Sequence, residues 1–392
     1  MRRFIFKPFI LCFALLLTVN FSKAQHAKPV IKVDVAGATA DKPQSKLWFM
    51  DGSWWALLPK SSGPSLWQRT SKGWIEDPLV SKHLTGYPGR VDVWANDHEV
   101  MAVGVASNYL SVYQLKKDKK SWQVKVMGKL SAPKSADNDI ETATIVQDKT
   151  GCWWVAADVG DQVYVWKSVD GNHWNEAVEL GNGINKDDIS TLTILPGGIG
   201  LIWTDQNQDA VKFRFHEDNR TDWNAVEIIE QGNHTADDHL RSSVSPDGTL
   251  WLATKNSVDE IGKPQLVLRV RHIDGKWKNY PFANLDSIKK PSRPAVLTTP
   301  DTDVVFIGYT EYNAKDSNLG VIKFARVNLN NKNVIMDIKT VIKPEINAEK
   351  NTLRINDITS SKDKFPKNGP WIILASDQLG NIYEADLRAD MK

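Results

Sequence analysis

The clearest structural pattern in the chain lies in residues 142–180, which read TATIVQDKTGCWWVAADVGDQVYVWKSVDGNHWNEAVEL. Residues 142–147, 152–157, 162–168 and 173–180 are short segments of alternating apolar character, and turn residues separate them. Alternation with a period of two is typical of half-buried strands, and the turn sequences DKTG and DGN are typical of tight connections. The stretch therefore predicts a unit of four antiparallel strands.

The same unit recurs along the chain, and large, mostly aromatic residues mark its period. One set opens a strand after a turn: Trp54, Trp55, Met101, Trp153, Trp154, Trp203, Trp251, Phe306 and Trp371. A second set ends the first five units at intervals of 48, 52, 49 and 54 residues: Trp74, Trp122, Trp174, Trp223 and Trp277. Four-stranded units of about 50 residues are a sequence signature of propeller blades. We count seven units from Lys46 to Leu387 and predict an all-β chain that forms a single seven-bladed β-propeller.

The seventh unit supplies three predicted strands, at residues 353–360, 371–376 and 381–387, so its fourth strand is missing. Residues 30–35, VIKVDV, alternate like a strand but have no partner in the first blade. An open array of sheets would expose unpaired strand edges. We therefore predict that this N-terminal strand closes the ring as the outer strand of the last blade.

The first 24 residues have the features of a signal peptide: basic residues, an apolar run at residues 9–17, and a small-x-small ending at Ala24. We predict cleavage after Ala24, which leaves residues 25–392 as the propeller domain of a secreted or periplasmic protein. The apolar run is too short to span a bilayer comfortably. Cys152 is then the single remaining cysteine, so an intramolecular disulfide is excluded.

The predicted mature chain is close to neutral. Four of the 49 lysines and arginines of the full chain lie in the leader, which leaves 45 basic residues against 47 acidic ones. This balance argues against long-range attraction to nucleic acid or to an anionic membrane. The chain also lacks a glycine-rich phosphate loop, a Gly-x-Ser-x-Gly elbow and a His-Glu-x-x-His motif. We expect a monomer with no cofactor, no nucleic-acid partner and no membrane span.

The simplest explanation of the 16 tryptophans is that they pack between the blades. At blade-to-blade spacing, large rings fill the wedges between neighbouring sheets and bury much apolar area. Trp67 and Trp94 lie off this register, which makes them the candidates for stacking against a sugar. Core packing is the favoured interpretation even for these two.

Charged residues stand at the predicted start of each innermost strand, where the blades converge on the mouth of the channel. They are Lys46, Arg90, Glu141, Asp188, His239, Arg293 and Arg354. Propellers commonly bind ligands at this mouth, so we take Lys46, Arg90, Glu141, Asp188, Arg241 and Arg354 as candidate ligand-binding residues. The alternative is that these groups pair with one another and solvate the channel.

The cluster Asp237-Asp238-His239, with Arg241 close by, holds the densest set of chemically capable side chains. A histidine beside a carboxylate can act as a general base near neutral pH. We therefore take His239, Asp238 and Arg293 as candidate catalytic residues of a polysaccharide lyase, in which arginines would neutralise the carboxylate of a uronic acid. A glycoside hydrolase could instead use two acids among Glu141, Asp188 and Asp238. The spacing is not diagnostic of a metal site, so no metal is expected.

Two resemblances support the fold. Ser168-Val169-Asp170-Gly171-Asn172-His173-Trp174 resembles a shortened Asp-box, the hairpin signature of sialidase-like propellers, which lies away from their catalytic centre. The three arginines and the Tyr/Glu pair of sialidases are not recognisable. The segments KPQSKLWF at 42–49, DGSWW at 51–55, DDH at 237–239, RP at 293–294 and IILASD at 372–377 resemble a family of secreted bacterial propellers without an established activity. The end of the leader is similar to those of Bacteroidota, a phylum rich in glycan-degrading systems.

The sequence thus favours an exported propeller that binds a glycan or another extracellular ligand at the polar channel mouth without catalysis. An enzyme acting on acidic polysaccharide, as a lyase or a glycoside hydrolase, is the second hypothesis. A protein-interaction scaffold is the third. Whether the protein is an enzyme stays open at this point.

Overall fold

A computed structural model describes residues 27–40, 42–118, 121–131, 139–300, 304–329, 334–335, 337–345, 354–362 and 365–390. The predicted signal peptide and its cleavage point lie outside these residues. Within them, seven four-stranded antiparallel sheets form the blades of a propeller, and a separate two-stranded hairpin extends from the sixth. The predicted all-β, seven-bladed architecture is confirmed.

The N-terminal strand β1 is Ile31–Lys32. The strands of blades 1 to 3 follow in chain order: β2 (Leu47–Met50), β3 (Ser53–Lys60), β4 (Gly63–Thr70), β5 (Gly73–Asp77), β6 (Arg90–Ala95), β7 (Glu99–Val105), β8 (Leu110–Asp118), β9 (Ser121–Leu130), β10 (Ile140–Gln147), β11 (Trp153–Val159), β12 (Gln162–Ser168) and β13 (Val178–Asn182). Each blade begins with its innermost strand.

Blades 4 to 7 contain β14 (Ser190–Leu195), β15 (Gly198–Asp205), β16 (Ala210–Glu217), β17 (Glu227–Gln231), β18 (Leu240–Val244), β19 (Leu250–Lys255), β20 (Pro264–Arg271), β21 (Trp277–Asn284), β22 (Lys289–Thr298), β23 (Val305–Asn313), β24 (Asp316–Arg326), β25 (Asn328–Leu329), β26 (Val334–Ile335), β27 (Lys339–Ile342), β28 (Asn356–Thr359), β29 (Ile372–Ser376) and β30 (Asn381–Asp386). β25 and β26 form the extra hairpin, and β27 completes the sixth sheet.

The ring closes as predicted. The last sheet has the order β1, β30, β29, β28, so the N-terminal strand is the outer strand of the seventh blade. Ile31 pairs with Ile382 and Lys32 with Asn381. The pairing covers the outer edge of β30, which would otherwise offer unpaired backbone groups.

An aromatic contact lies between every pair of neighbouring blades, including the closing pair. In ring order these contacts are Trp55–Trp122, Trp94–Trp153, Trp154–Trp223, Phe213–Trp277, Phe282–Tyr309, Phe306–Trp371 and Trp54–Phe365, with ring centroids 4.9 to 6.4 Å apart. Each such pair contributes about 0.5–1.5 kcal/mol beyond its buried area. Trp94, one of the two off-register tryptophans, belongs to this set, and Trp67 is half-buried against the core of the first and last blades.

The outer strand of blade 3 begins later than the predicted residue 173. The carboxylate of Asp170 accepts hydrogen bonds from the backbone N–H groups of Asn172 and His173, both at 2.8 Å, and these bonds hold residues 170–174 in a turn. Gly171 has a φ of +76°, a value that side-chain-bearing residues rarely adopt. The strand therefore starts at Val178, after this hairpin turn between the two outer strands.

Two short helices accompany the sheets. α1 (Pro78–His83) is capped by Asp77, whose carboxylate accepts from the backbone N–H groups of Leu79 and Val80. α2 (Leu387–Asp390) ends the described chain, and it replaces the last residue of the predicted strand 381–387. In the described part of the chain, neither helix has the length and apolar character needed to cross a bilayer.

Candidate functional site

We call the face on which the innermost strands begin the upper mouth of the channel. Arg90 opens β6, Glu141 is the second residue of β10, and His239 directly precedes β18. Arg293 is placed differently, because it lies inside β22 at an irregularity of the strand register and has a φ of +53°. Lys46, Asp188 and Arg354 stand one or two residues before their innermost strands. The structure thus brings most of the predicted ring to one face.

The channel is filled near this mouth by residues 42–45, which we call the channel segment. Gln44 donates from its amide to the carbonyl oxygen of Ala143 in blade 3 at 3.0 Å. The backbone N–H of Ser45 donates to the carboxylate of Asp92 in blade 2 at 2.7 Å. The guanidinium of Arg241 in blade 5 donates to the carbonyl of Gln44 at 3.1 Å and to the hydroxyl of Ser45 at 3.0 Å. One short segment is therefore tied to innermost strands on several sides of the ring.

Two of the predicted ligand-binding residues donate hydrogen bonds to this segment. Lys46 is fully buried and donates to the side chain of Gln44 and to the carbonyl of Val91, both at 3.1 Å. Arg241 also donates to the carbonyl of Ile358 at 3.3 Å, and burial lowers its pKa to about 10. Both cations are thus committed inside the channel and do not lie on the exposed surface of the mouth.

The Asp237-Asp238-His239 cluster is a network of ion pairs. Nδ1 of His239 lies 2.6 Å from a carboxylate oxygen of Asp237 and also contacts Asp238. The second oxygen of Asp237 binds Lys255 and that of Asp238 binds Lys42, each at 2.5 Å. Burial would raise the pKa of Asp238, but the hydrogen bond to His239 and the nearby positive charges outweigh burial and lower the pKa. Asp238 therefore stays ionised at neutral pH.

The arrangement limits what His239 and the two acids can do chemically. Its Nδ1 is held by carboxylates, and its Nε2 is buried without a hydrogen-bond partner among the described residues. Asp237, Asp238 and His239 are also the one described group whose donor atoms could gather around a metal ion. Lysine ammonium groups occupy the carboxylate oxygens that point away from the histidine, and a cation bound there would have to compete with them.

Arg293 is held in a second polar cluster. Its guanidinium donates to Asp357 at 2.6 Å and to the hydroxyl of Tyr312 at 2.8 Å. Burial disfavours the charged form, yet the Asp357 carboxylate and the Tyr312 hydroxyl outweigh this effect and raise the pKa of Arg293. Tyr312 in turn donates to the side chain of Asn356 at 3.0 Å. The guanidinium of Arg354 lies over the Tyr312 ring, 3.7 Å from its centroid. Tyr312 therefore links two of the predicted arginines.

The remaining ring residues lie at blades 2 to 4. Arg90 donates to the carbonyl of Glu141 at 2.5 Å, which joins blades 2 and 3. The carboxylate of Asp188 is buried and accepts backbone N–H bonds from Asn185 and Gln206, and burial raises its pKa. Asp188 thus orders two loops, and its oxygens face protein donors rather than the mouth.

The described residues form an exposed cavity on this face, beside Tyr312. This cavity of about 310 Å³ is lined by strands β22 to β24 and by the two residues that follow β27, and its lining includes Lys289, Asn313 and Lys343. By contrast, the space above the channel segment is about 20 Å³, too small for a sugar. Tyr312 is not among the predicted site residues, because those stand at the starts of innermost strands and Tyr312 lies near the end of the second strand of blade 6. The signal available was an aromatic residue beside polar neighbours at that strand end.

Comparison with solved structures finds proteins of similar fold. The chain aligns with the polysaccharide lyase Uly1 at a TM-score of 0.51 and 12% identity, over 95% of this chain and 94% of that chain. A protein from Lactobacillus plantarum gives a TM-score of 0.48 at 13% identity, over 75% and 83% of the two chains. The α-L-arabinanase of Penicillium chrysogenum, complexed with arabinobiose, gives 0.44 at 10% identity, over 81% and 99%.

No protein-family model and no curated protein matches the chain. Likeness at 12% identity shows a shared fold and nothing finer. The sialidase-like superfamily, which the shortened Asp-box resembles, is not confirmed by these comparisons. The seven four-stranded sheets make this chain a seven-bladed β-propeller, and the solved lyase shares its fold over nearly the whole chain.

Proposed function

We propose that the protein is an exported propeller that binds an acidic glycan at the upper mouth, without catalysis. The observation that carries the proposal is the cavity of about 310 Å³ beside Tyr312, on the face where the predicted ring residues gather. Cavities of this size accommodate small ligands or short stretches of a polymer. The solved lyase that shares the fold over nearly its whole length acts on a polysaccharide, which supports a glycan as the ligand class.

The chemistry of the cavity suits a sugar with a carboxylate. Its lining is largely apolar around Tyr312. Arg354 lies over one face of the Tyr312 ring and the hydroxyl is bound to Arg293 and Asn356, so a ligand meets the remaining apolar surface of the ring. Lys289 and Lys343 in the lining are exposed and can pair with an anionic group. Glu311, the acid in the lining, is already paired with Lys323 at 3.4 Å. The cavity therefore offers two lysines to an anionic ligand, and the one acid among its described lining residues is already paired.

Binding is favoured over catalysis because the candidate catalytic groups are occupied. A histidine that acts as a general base must present a free ring nitrogen within hydrogen-bond reach of the proton it removes. His239 offers neither nitrogen, since Nδ1 contacts two carboxylates and Nε2 is buried. The positive charge of Arg293 is balanced by Asp357 and is not available to neutralise a uronic acid.

One observation favours the lyase as the second hypothesis. The hydroxyl of Tyr312 lies 2.8 Å from Nε of Arg293, which places a proton-transferring phenol beside an arginine. If substrate displaced Asp357 from Arg293, the arginine could face a sugar carboxylate while Tyr312 exchanged a proton. Glycoside hydrolysis has less support, because the carboxylate of Asp188 is bound by loop N–H groups.

The test is affinity gel electrophoresis of the purified protein in gels that contain neutral or uronic-acid polysaccharides. We expect retention on an acidic polysaccharide and about tenfold weaker binding for Tyr312→Ala, because the apolar surface of the ring is lost. Tyr109→Ala is the matched control, since Tyr109 also carries a cation over its ring, Lys129 at 3.8 Å, but lies in blade 2.

The same samples are assayed for new reducing ends and for unsaturated products. Release of either product, abolished in Tyr312→Ala or His239→Ala, would replace the binding proposal with the enzymatic one. Absence of retention on every polysaccharide would reject a glycan ligand. Retention that survives Tyr312→Ala, or that falls equally in Tyr109→Ala, would reject the cavity as the site.

A further inference from the structure

We infer that the opposite face of the propeller holds a second binding site, for a small sugar that carries an anionic group. This lower mouth is the face on which the innermost strands end. It contains a cavity of about 340 Å³ bounded by the ends of β10, β14 and β18, by the turns that follow them, and by Lys362 from blade 7. The inference does not depend on the proposed function of the upper mouth.

The lining of this cavity is rich in hydrogen-bonding groups and has a positive charge. Lys149 and Lys362 are its ionisable side chains, and no acidic side chain lies among the described lining residues. Lys362 binds Asp92 deeper in the channel and donates to the carbonyl of Ile145 at 2.8 Å, so its charge is balanced. Lys149 makes no ion pair within the described residues. Lys149 is exposed, and its ammonium group is therefore available to an anionic ligand at the cavity.

Several residues with hydroxyl groups line the same space, and their hydroxyls differ in availability. Ser243 shares a hydrogen bond with Thr298 at 2.9 Å, and Ser245 accepts from the indole of Trp251 at 2.7 Å. The hydroxyls of Thr193 and Ser242 make no hydrogen bond to another described residue. An ammonium group beside unengaged hydroxyls can satisfy both the charge and the hydroxyls of an anionic sugar. The cavity volume is suited to one or two sugar rings.

The two mouths are separate sites because the channel between them is closed. Gln44 and Ser45 bind blades 2, 3 and 5, and Asp92 accepts from Ser45 on one side and from the backbone N–H of Ile145 on the other. Lys362 reaches Asp92 from below. A ligand at the lower mouth consequently meets Lys149 and the hydroxyls, and it does not contact Tyr312.

The shared ligand chemistry is a sugar bearing a single anion, either a carboxylate or a sulfate. Isothermal titration of the purified protein with glucuronate, glucose 6-sulfate and glucose separates these cases. We expect at least one anionic sugar to bind and glucose to bind more weakly. Lys149→Gln should weaken the binding about fivefold, and added salt should weaken it further. Binding of one anionic sugar but not the other would identify which anion the site takes.

Three variants complete the test. Thr193→Val should also weaken binding, because it removes an available hydroxyl while keeping the shape of the side chain. Lys72→Gln, an exposed lysine in the hairpin of blade 1, should change nothing. Tyr312→Ala should leave the anionic sugars bound, which separates this site from the upper one. The inference is overturned if neither anionic sugar binds, if Lys149→Gln and Lys72→Gln behave alike, or if Tyr312→Ala abolishes the binding.

Discussion

The carboxyl group of Asp158 on β11 is buried inside blade 3, close to Glu141 and Asp188. One of its oxygens accepts from the hydroxyl of Thr142 at 3.0 Å, and the other has no hydrogen-bond partner among the described residues. Burial raises its pKa to about 8, and the neighbouring carboxylates act in the same direction. Asp158 is therefore largely protonated in the folded protein at neutral pH.

This raised pKa predicts how stability depends on pH. The folded state keeps the proton up to about pH 8, whereas the unfolded carboxyl releases it near 3.8. The unfolded state thus binds fewer protons between these values, and the free energy of unfolding falls as pH rises through this window. Asp158→Asn stays neutral at every pH, so we expect the variant to lose less stability between about pH 5 and pH 8. Urea denaturation at both pH values measures the difference.

Asp170 is the control with the opposite sign. Its pKa is lowered, chiefly by the backbone N–H of His173 and by the His173 side chain. Any stability that it contributes is present above the unfolded pKa and is lost in acid, so Asp170→Asn should not flatten the slope between pH 5 and pH 8. Equal slopes for Asp158→Asn and the unaltered protein would contradict the protonated state of Asp158.

Among the strands of the seven blades, β1 has the fewest paired residues, and it closes the ring. It contributes two paired residues to the last blade, and the backbone N–H groups of Val30 and Val33 add hydrogen bonds to the carbonyls of Ile382 and Gly380. The side chain of Ile31 is 4% exposed and packs in the core shared by the first and last blades. The closing strand is thus held by its buried side chains as well as by its backbone.

Ile31→Ala should therefore destabilise the protein by about 2–4 kcal/mol, because it leaves a cavity at the point of closure. Val30→Ala is the matched control, since Val30 is the preceding residue, β-branched and 39% exposed. We expect little change for the control. Urea denaturation measures both variants, and a loss in Val30→Ala equal to that in Ile31→Ala would show that burial of Ile31 does not secure the closure.

The channel segment is the element that sequence patterns could not predict. The motif containing Gln44 and Ser45 suggested a family resemblance, but their hydrogen-bond partners are distant in sequence. Ala143 lies 99 residues from Gln44, and Arg241 lies 196 residues from Ser45. No periodicity connects such positions, because the segment belongs to no strand. The displaced position of Arg293 has a similar cause, since the register irregularity in β22 shifts it along the strand.

At the scale of the whole molecule, the repeat was predictable because the aromatic residues that mark it pack against the neighbouring blade. Trp55, Trp154 and Phe306 each contact an aromatic residue of a neighbouring blade, so their spacing follows the blades. The missing fourth strand of the last unit likewise predicted closure by the N-terminal strand. The candidate site was harder to predict, because a ligand cavity depends on which charged groups remain unpaired after folding. Arg241 and Lys46 are committed inside the channel, whereas Lys149 and Tyr312 border open cavities.

The central claim is that an acidic glycan binds beside Tyr312 while the His239 cluster remains closed. The most direct measurement is a crystal structure of the protein with an oligosaccharide from the polysaccharide that it retains. We predict a sugar ring against Tyr312, its carboxylate near Lys289 or Lys343, and unchanged ion pairs from Asp237 and Asp238 to His239. A sugar found only at another place, or one that contacts a released nitrogen of His239, would contradict the account.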